Sequence, residues 1–413
     1  MALFVDRAAL ARPTMRVGPD ELAAITTVCA RLDGIPLAIE LAAARCRSMT
    51  PSQIAERLGD HFELLTGGSR RALPRHRALE ASVEWSYNLL SDDERAMLCR
   101  LSVFAGGFTL AAAEAVGVDS SIDTWAVVDR LTGLVDKSLV LQSDDGRYGL
   151  LETVRQFAET RLAGAGDAEQ ARRRHAAYFA QVTASAEAGL YGPEHLSTRR
   201  ALQLEIDNLR SALDWAEAAG QIDLALSLML PIDLFWQRQL AESTDRLNRL
   251  LAAPSAAPAW RLLGFAAAAE MACVRGDAPD LVSRVEQGLS LLDETADPVV
   301  RGWLQELSGW GRFFCGQHGA EENARAGVEL LRSCESPRAR YYMLDGLWAV
   351  GLSAIGKGRC SEGLAAFAEA ATEADLTGAP FGIGRSSVMF GHMQATFGRF
   401  GPARQLSSTG RRL

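Results

Sequence analysis

Apolar residues recur at helical spacing along almost the whole chain. Two successive stretches near the start show the pattern, first at Leu22, Ile25, Val28, Cys29 and Leu32, then at Leu37, Ile39, Leu41 and Ala44. Spacings of three and four residues place such positions on one face of a helix. Capping residues and glycines separate one stretch from the next. The pattern predicts a mainly α-helical protein.

One segment favours strands instead. Residues 138–151 contain two short apolar stretches on either side of Asp144, Asp145 and Gly146. An Asp-Gly pair between two apolar stretches is typical of a hairpin turn. We therefore expect a single two-stranded hairpin, a wing, within the helical protein.

Beyond about residue 255 the helices repeat. Glycines typical of turns occur about every 40 residues, at Gly276, Gly316, Gly356 or Gly358, and Gly398. Each glycine follows a predicted Ala- and Gly-rich apolar helix and precedes an amphipathic one. Helical hairpins of this kind stack into a solenoid, because a single hairpin cannot bury its apolar face. The period predicts tetratricopeptide-like repeats over 255–413, the last one incomplete.

The net charge of the chain excludes one class of function. The chain has 413 residues, 48% hydrophobic and 23% charged, and 43 Lys and Arg against 51 Asp and Glu give a net charge of -8. This balance excludes a basic DNA-wrapping protein. Residues 81–160 alone hold six basic against thirteen acidic residues, so that almost the whole net charge lies there.

The chain shows no sign of export or membrane insertion. Asp6 and Arg7 interrupt its apolar start, and no apolar run reaches the ~18 residues of a membrane span. Seven scattered cysteines without a Cys-x-x-Cys pair are typical of reduced thiols. We expect a cytoplasmic protein with no membrane partner.

The most distinctive segment is residues 31–45. Pro36 follows Gly34 closely, and a proline there is expected in the first turn of a helix, where its missing N–H is not needed. The segment resembles the GLPL motif in the helical lid of the STAND class of signal-transduction ATPases, which includes the NB-ARC proteins. The resemblance implies a residual adenine contact by Gly34, Pro36 and Leu37.

The resemblance continues through the next hundred residues. Its motifs are Trp85-Ser-Tyr87, the stretches 101–110 and 134–140, and residues 150–158. They are similar to the winged-helix half of large actinobacterial LuxR-type regulators, in which a nucleotide-binding domain, a winged helix, helical repeats and a DNA-binding helix-turn-helix follow in order. The resemblance implies a helical lid subdomain over 1–78, a winged helix over 79–163, a helical connector over 164–254 and the repeats over 255–413.

Local signals agree with a winged helix. Ser91 precedes Asp92, Asp93 and Glu94, an N-cap followed by acidic residues that suit the helix dipole. Thr109 and Asp123 are expected to begin the next two helices. Because the stretch is strongly acidic, it would repel a duplex, and we expect it to pack against protein. Direct DNA binding through the winged helix is the alternative.

The chain departs from the resemblance at the nucleotide site. The 33 residues before Gly34 are too few for a phosphate loop and a Mg²⁺-binding strand, and Leu151 stands where the family's MHD motif has a histidine. We also expect the C-terminal helix-turn-helix to be missing. No cofactor and no ATP hydrolysis are therefore expected, and an ADP- or ATP-binding switch is the alternative.

The remaining candidate motifs give little evidence of a phosphate-binding, metal-binding or catalytic site. Residues 351–358 satisfy the spacing GxxxxGK, but Gly358 stands where a phosphate loop needs Ser or Thr, and a helix rather than a strand is predicted before them. The six histidines form no metal-binding or catalytic pattern. We expect no metal site and no enzyme.

These observations favour a regulator module that relays a signal. A protein partner or a small ligand would bind in the groove of the repeats. The winged helix would pass that event to another polypeptide, such as a separate nucleotide-binding or DNA-binding chain.

Overall fold

Helices build almost all of the described structure, as the apolar pattern predicted. The structure is a computed structural model, and it describes residues 1–12, 18–32, 34, 36–57, 82–118 and 124–398. The chain divides into two compact units, Met1–Tyr178 and Phe179–Leu413. The fold class expected from the sequence is confirmed: mainly α, with a winged helix and a helical-hairpin array.

Five helices precede the winged helix. They are α1 (Ala2–Ala11), α2 (Pro19–Arg31), α3 (Pro36–Ala44), α4 (51–57) and α5 (82–88), with a 3-10 turn at Arg45–Arg47. Phe4, Ile25, Ile39 and Ile54 bury their side chains in one core, and Trp85 of α5 packs into the same core. Helix α5, which leads into the winged helix, therefore packs against the core that the first helices form.

The winged helix follows the predicted caps. Its elements are α6 (Asp92–Leu101), β1 (Gly107–Phe108), α7 (Leu110–Gly117), α8 (Thr124–Asp136), β2 (Leu141–Gln142), β3 (Tyr148–Gly149) and α9 (Glu152–Ala165). Ser91 Oγ accepts from Glu94 N at 3.3 Å, and Glu94 accepts in return from Ser91 N. Thr109 Oγ1 accepts from Ala112 N at 3.2 Å. Both predicted caps are confirmed, whereas Asp123 lies outside the described residues.

The sheet differs from the expected two-stranded wing. It has three strands in the order β1-β3-β2, and Phe108 pairs with Tyr148 in antiparallel register. The hairpin of β2 and β3 was predicted, but the third strand was not. Gly107-Phe108 is too short to show an alternating pattern, and only its long-range pairing makes it a strand.

The second unit begins inside a long helix. The elements up to the repeats are α10 (Ala168–Leu190), α11 (His195–Leu204), α12 (Ile206–Ala218), α13 (Ile222–Met229), α14 (Asp233–Trp236) and α15 (Leu240–Ala252), with 3-10 turns at Leu230–Ile232 and Gln237–Gln239. Gly166, with a φ of +75°, ends α9 just beyond the domain boundary predicted at 163/164. The two compact units divide later, within α10.

Helical hairpins fill the rest of the chain. They are α16 (Pro258–Arg275) with α17 (Ala278–Leu289), α18 (Pro298–Phe314) with α19 (Ala320–Arg332), and α20 (Pro337–Gly356) with α21 (Cys360–Thr377), followed by α22 (Pro380–Thr396). The predicted turn glycines Gly276, Gly316, Gly358 and Gly398 all have a positive φ. Of the two alternatives in the third turn, Gly358 is the left-handed residue and Gly356 ends the helix. Each first helix also begins with a proline, a signal that the sequence analysis missed.

Small residues let the hairpins pack closely. A Cβ at Gly327 in α19 would lie 2.5 Å from the backbone N of Glu306 in α18. A Cβ at Gly363 would lie 2.7 Å from the carbonyl oxygen of Gly351. Neighbouring helices therefore touch through their backbones, as the Ala- and Gly-rich composition indicated.

Candidate functional site

The predicted adenine contacts lie at the start of α3. Gly34 has a φ of +69°, and its N–H donates to the carbonyl of Cys29 at 3.1 Å. Pro36 is the first residue of α3, which confirms the predicted helix start, and both residues are exposed. Leu37 lies in α3, but its side chain is outside the described residues. An adenine contact by these three residues stays a prediction.

A buried arginine joins the end of α3 to α5. Arg45 Nη2 donates to the carbonyl oxygen of Ser86 at 2.8 Å, and the guanidinium lies 6.0 Å from the ring centre of Trp85. Burial lowers the pKa of Arg45 to about 10. Arg161 of α9 pairs with Glu84 at 2.7 Å. Helix α5 is therefore held on one side by the first helices and on the other by the winged helix.

The basic side chains of the winged helix are all engaged within the protein. Five of the six between residues 81 and 160 form ion pairs, which are Arg95–Asp92 (3.1 Å), Arg100–Asp167 (2.6 Å), Arg130–Asp93 (2.8 Å), Arg155–Glu152 (2.8 Å) and Lys137–Glu94. The sixth, Arg147, donates from Nη2 to the carbonyl of Gly107 at 2.9 Å. Five of these cations are therefore paired with the protein's own carboxylates, and the sixth donates a hydrogen bond to a backbone carbonyl.

The outer face of α8 is aromatic and acidic. Trp125, Asp129, Thr132 and Asp136 are exposed and recur at helical spacing, and the Trp125 side chain is 81% exposed. Asp136 pairs with Arg47. Asp144 and Asp145 are exposed at the wing. The helix and wing thus present an indole ring and carboxylates.

The second compact unit holds charge in its interior. Asp233, at the start of α14, accepts from Tyr342 Oη at 2.6 Å, from Arg338 Nη2 at 3.0 Å and from Tyr191 Oη. Arg338 also donates to the carbonyl of Leu230 at 3.2 Å. Burial and the neighbouring Asp233 raise the pKa values of Tyr191 and Tyr342 well above their usual range. We call these four side chains the Asp233 centre.

Aromatic rings enclose the guanidinium of that centre. The Arg338 Cζ lies 5.1 Å from the ring centre of Trp303, and Trp303 stacks on Tyr342 with 4.0 Å between ring centres. Burial lowers the pKa of Arg338, but the surrounding Tyr191 and Asp233 outweigh burial and the net shift is upward. Arg338 therefore stays charged inside the protein.

Three further carboxyl groups lie buried on the first helices of consecutive hairpins. They are Glu270 in α16, Glu306 in α18 and Asp345 in α20. Asp345 pairs with Arg385 of α22 at 3.2 Å, and Glu270 accepts from Trp303 Nε1 at 3.4 Å. Glu306 is 0% exposed, and within the described residues neither of its carboxyl oxygens has a hydrogen-bond partner. We call Glu270, Glu306 and Asp345 the acidic row.

The acidic row cannot be fully ionised. Burial and the neighbouring Asp345 raise the pKa of Glu270 to about 8, and burial together with Glu270 and Asp345 raises the pKa of Glu306. Arg385, which pairs with Asp345, favours the ionised forms of Glu270 and Glu306 and so partly opposes these rises. This row was not predicted from the sequence, although a single acidic residue inside each of these three apolar helices is a visible signal.

A cavity of about 460 Å³ lies beside the Asp233 centre. Its lining includes Glu187 and Tyr191 of α10, Trp260 of α16, Asp297 before α18, and Ser336 and Arg338 at the start of α20. Arg338 Nη1 donates to Glu187 Oε1 at 3.0 Å. The Asp233 centre is therefore connected to a space that a small molecule could fill.

The GxxxxGK segment is not built as a phosphate loop. Residues 351–356 are the last turns of α20, and Gly358 forms the left-handed turn after them. Lys357 Nζ lies 3.0 Å from Glu321 Oε2 and 3.7 Å from Glu322 Oε1. The lysine therefore serves the packing of neighbouring hairpins, as the helical context indicated.

Among the described residues there is neither a group of metal ligands nor a membrane-spanning helix. No group of three or more His, Cys, Asp or Glu side chains there is arranged to hold a metal ion. Within the same part of the chain, every helix is too short or too polar to cross a membrane.

Comparison with known proteins identifies one domain by its family. Residues 90–163 match the family of winged helix-turn-helix domains. The match covers α6 to α9, which the structure shows as three helices, a three-stranded sheet and a fourth helix. This part of the chain is a winged helix-turn-helix domain.

Longer relatives come from mycobacteria. A Mycobacterium tuberculosis protein named as a candidate HTH-type transcriptional regulator is 40% identical over 311 residues, which cover 72% of this chain and 35% of the relative. An uncharacterized protein of the same species is 41% identical over 194 residues, or 46% of this chain and 49% of the relative. The chain thus spans about a third of the length of the first relative and about half that of the second.

One solved structure shares the fold at low identity. It is a signal transduction ATPase with numerous domains, with a tetratricopeptide repeat sensor, from Pyrococcus horikoshii. The TM-score is 0.52 at 14% identity, and the alignment covers 90% of this chain and 59% of the other. The likeness concerns the fold alone.

Proposed function

We propose that this chain is the sensing and relay part of a LuxR-type transcriptional regulator of the STAND class. The similarity to a named regulator over 311 residues and the winged helix-turn-helix domain support a regulatory role. The STAND-like fold supports the finer class. In this proposal the repeats bind a small ligand or a protein in the cytoplasm, and no residue of the chain carries out a catalytic step.

The proposal also assigns the winged helix to protein contact instead of DNA contact. The observation that carries it is the pairing of all six basic side chains between residues 81 and 160 with groups of the protein itself. Affinity for a duplex comes largely from free Lys and Arg that neutralise phosphates. The exposed Trp125 of α8 is instead typical of a surface that contacts protein, and the carboxylates beside it would repel phosphates.

Helix α5 is the proposed relay between the first helices and the winged helix. Arg45 and Trp85 tie it to the end of α3 and to the core of α1–α3. Glu84 ties the same helix to Arg161 of α9. A shift of α5 would break contacts on both sides, which couples the two regions physically.

Fluorescence anisotropy with a labelled duplex of mixed sequence tests this assignment. The chain is titrated at low and at physiological salt, and we expect no saturable binding. The matched control is the double variant Asp129→Arg/Thr132→Arg, which places two unpaired cations on α8 and should gain weak, salt-sensitive binding. Binding of the unaltered chain with a Kd below about 1 μM that weakens with salt would contradict the proposal.

A further inference from the structure

We infer that the cavity beside Arg338 binds a small organic cation, an amine carried on an aromatic or aliphatic body. The inference rests on the proposed sensing role of the repeats and names the ligand class. A volume of about 460 Å³ lies within the range of ordinary small-molecule sites. The walls come from α10, from Pro231 and from the starts of α16, α18 and α20.

The charges around the cavity add up to a negative site. Among its described lining residues Arg338 is the one cation, and it is already held by Glu187 at 3.0 Å and by Asp233 at 3.0 Å. Asp297 adds a third carboxylate, which is exposed. The Glu187 side chain is 39% exposed, so an incoming ligand can reach it. The lining therefore has two carboxylates against one guanidinium, which is itself also paired with the buried Asp233, and this net negative charge attracts a cation and repels an anion.

Two helices begin at the cavity, and their ends do not reverse this preference. A helix start normally attracts anions through its free N–H groups. Here Pro298 and Pro337 occupy the first positions of α18 and α20 and have no N–H. Asp297 accepts from the N–H of Val299 at 2.8 Å, and Ser336 accepts from that of Ala339 at 3.0 Å. The helix starts have therefore lost donors that an anion would need.

The remaining wall selects an apolar body. It consists largely of Pro231, Leu263, Val299, Val300 and the half-buried Trp260. An indole ring favours both stacking with a ligand ring and contact with an ammonium group. A molecule with an apolar body and a protonated amine satisfies the wall and the carboxylates together.

Isothermal titration calorimetry with three indole compounds tests the inference on the full chain. Tryptamine, tryptophol and indole-3-acetate share one ring system and differ in carrying an ammonium, a hydroxyl or a carboxylate group. We expect tryptamine to bind about tenfold tighter than tryptophol, because its ammonium group is attracted by the Glu187 carboxylate. Indole-3-acetate should bind most weakly, because the same carboxylate repels its negative charge. Equal affinities, tighter binding of indole-3-acetate, or no binding of any compound would overturn the inference.

Two substitutions in the cavity wall test whether the compounds bind beside Arg338. Glu187→Gln should remove the tenfold preference for tryptamine and leave tryptophol unchanged, and Trp260→Leu should weaken both compounds. The matched control is Glu286→Gln on the exposed side of α17, which should alter neither. Unchanged tryptamine binding in both site variants, with melting temperatures like that of the parent chain, would also overturn the inference. The DNA titration described above is independent of these results, so the two proposals fail separately.

Discussion

The winged helix and the repeats place their charges in opposite ways. In the winged helix, carboxylates remain on the surface of α8 and the wing while the basic side chains are paired. In the repeats, Arg338 and the acidic row are buried, as is Asp233 in the helices just before them. Net charge alone, which is concentrated in residues 81–160, would point to the winged helix as the binding region. The pairing of individual groups instead supports our proposals that the winged helix contacts protein and that the repeats bind a ligand.

Breaking the Asp233 centre should have the largest effect on stability. Arg338→Met leaves the buried Asp233 carboxylate without its cation, and we expect a loss of about 3–5 kcal/mol in the free energy of unfolding. Urea denaturation followed by circular dichroism measures it. The control is Arg332→Met, which removes a half-exposed arginine paired with Glu329 at 2.9 Å and with the half-exposed Glu369, and it should cost less than about 1 kcal/mol. Equal losses of stability in the two variants would show that the buried ion pair contributes no more to stability than an exposed one.

The acidic row should give the repeats a characteristic pH dependence. Glu270 has a pKa raised from 4.5 to about 8, so between these values the unfolded chain has released a proton that the folded chain keeps. The free energy of unfolding should therefore fall as pH rises from about 4.5 to about 8. With Arg385, Asp345 and Glu306 unchanged, Glu270→Gln should flatten this fall.

The Glu270 comparison is made by denaturation at several pH values. Glu270→Gln should be more stable than the parent chain by about 4 kcal/mol at about pH 8 and nearly equal to it near pH 4.5. Glu286→Gln, an exposed substitution, serves as the control and should leave the slope unchanged. A parent chain whose stability rises over this range would show that Glu270 is ionised in the folded protein.

The smallest effect on stability is expected at the exposed Trp125 of the winged helix, which we compare with the buried Trp303 of the repeats. Because its side chain is 81% exposed, Trp125→Ala should alter the free energy of unfolding by less than about 0.5 kcal/mol. Trp303→Ala, which empties a buried site against Tyr342, should cost about 3–5 kcal/mol. Thermal melts of both variants measure the contrast. A large loss at Trp125 would mean that the ring supports the fold instead of facing a partner.

Local signals were enough to predict much of the fold. Ser91 and Thr109 cap their helices through side-chain contacts three residues away, so a short stretch of sequence contains the whole signal. The same holds for Gly276 and Gly316, whose left-handed turns depend on the residue itself. Strand β1 could not be predicted, because its pairing partner lies about 40 residues further along the chain.

The candidate site was harder to predict than the fold. Arg338 meets Asp233 and Glu187 only because three helices distant in sequence converge, and no spacing pattern announces that meeting. The acidic row has a periodic signal, but burial rather than residue type makes it unusual. The motif at Gly34 and Pro36 was recognisable as a helix start, whereas a contact with adenine needs an observation of the ligand.

In each hairpin the first helix begins at a proline and is followed by a left-handed glycine, and this arrangement has an evolutionary consequence. Residues 298–336 contain a complete hairpin with its own beginning and end, and the following hairpin opens with Pro337 in the same way. In arrays whose members contact mainly their neighbours, such a segment can be copied in frame as a cassette. Duplication or loss of one cassette would lengthen or shorten the array by whole hairpins without any change in the residues that begin and end its helices.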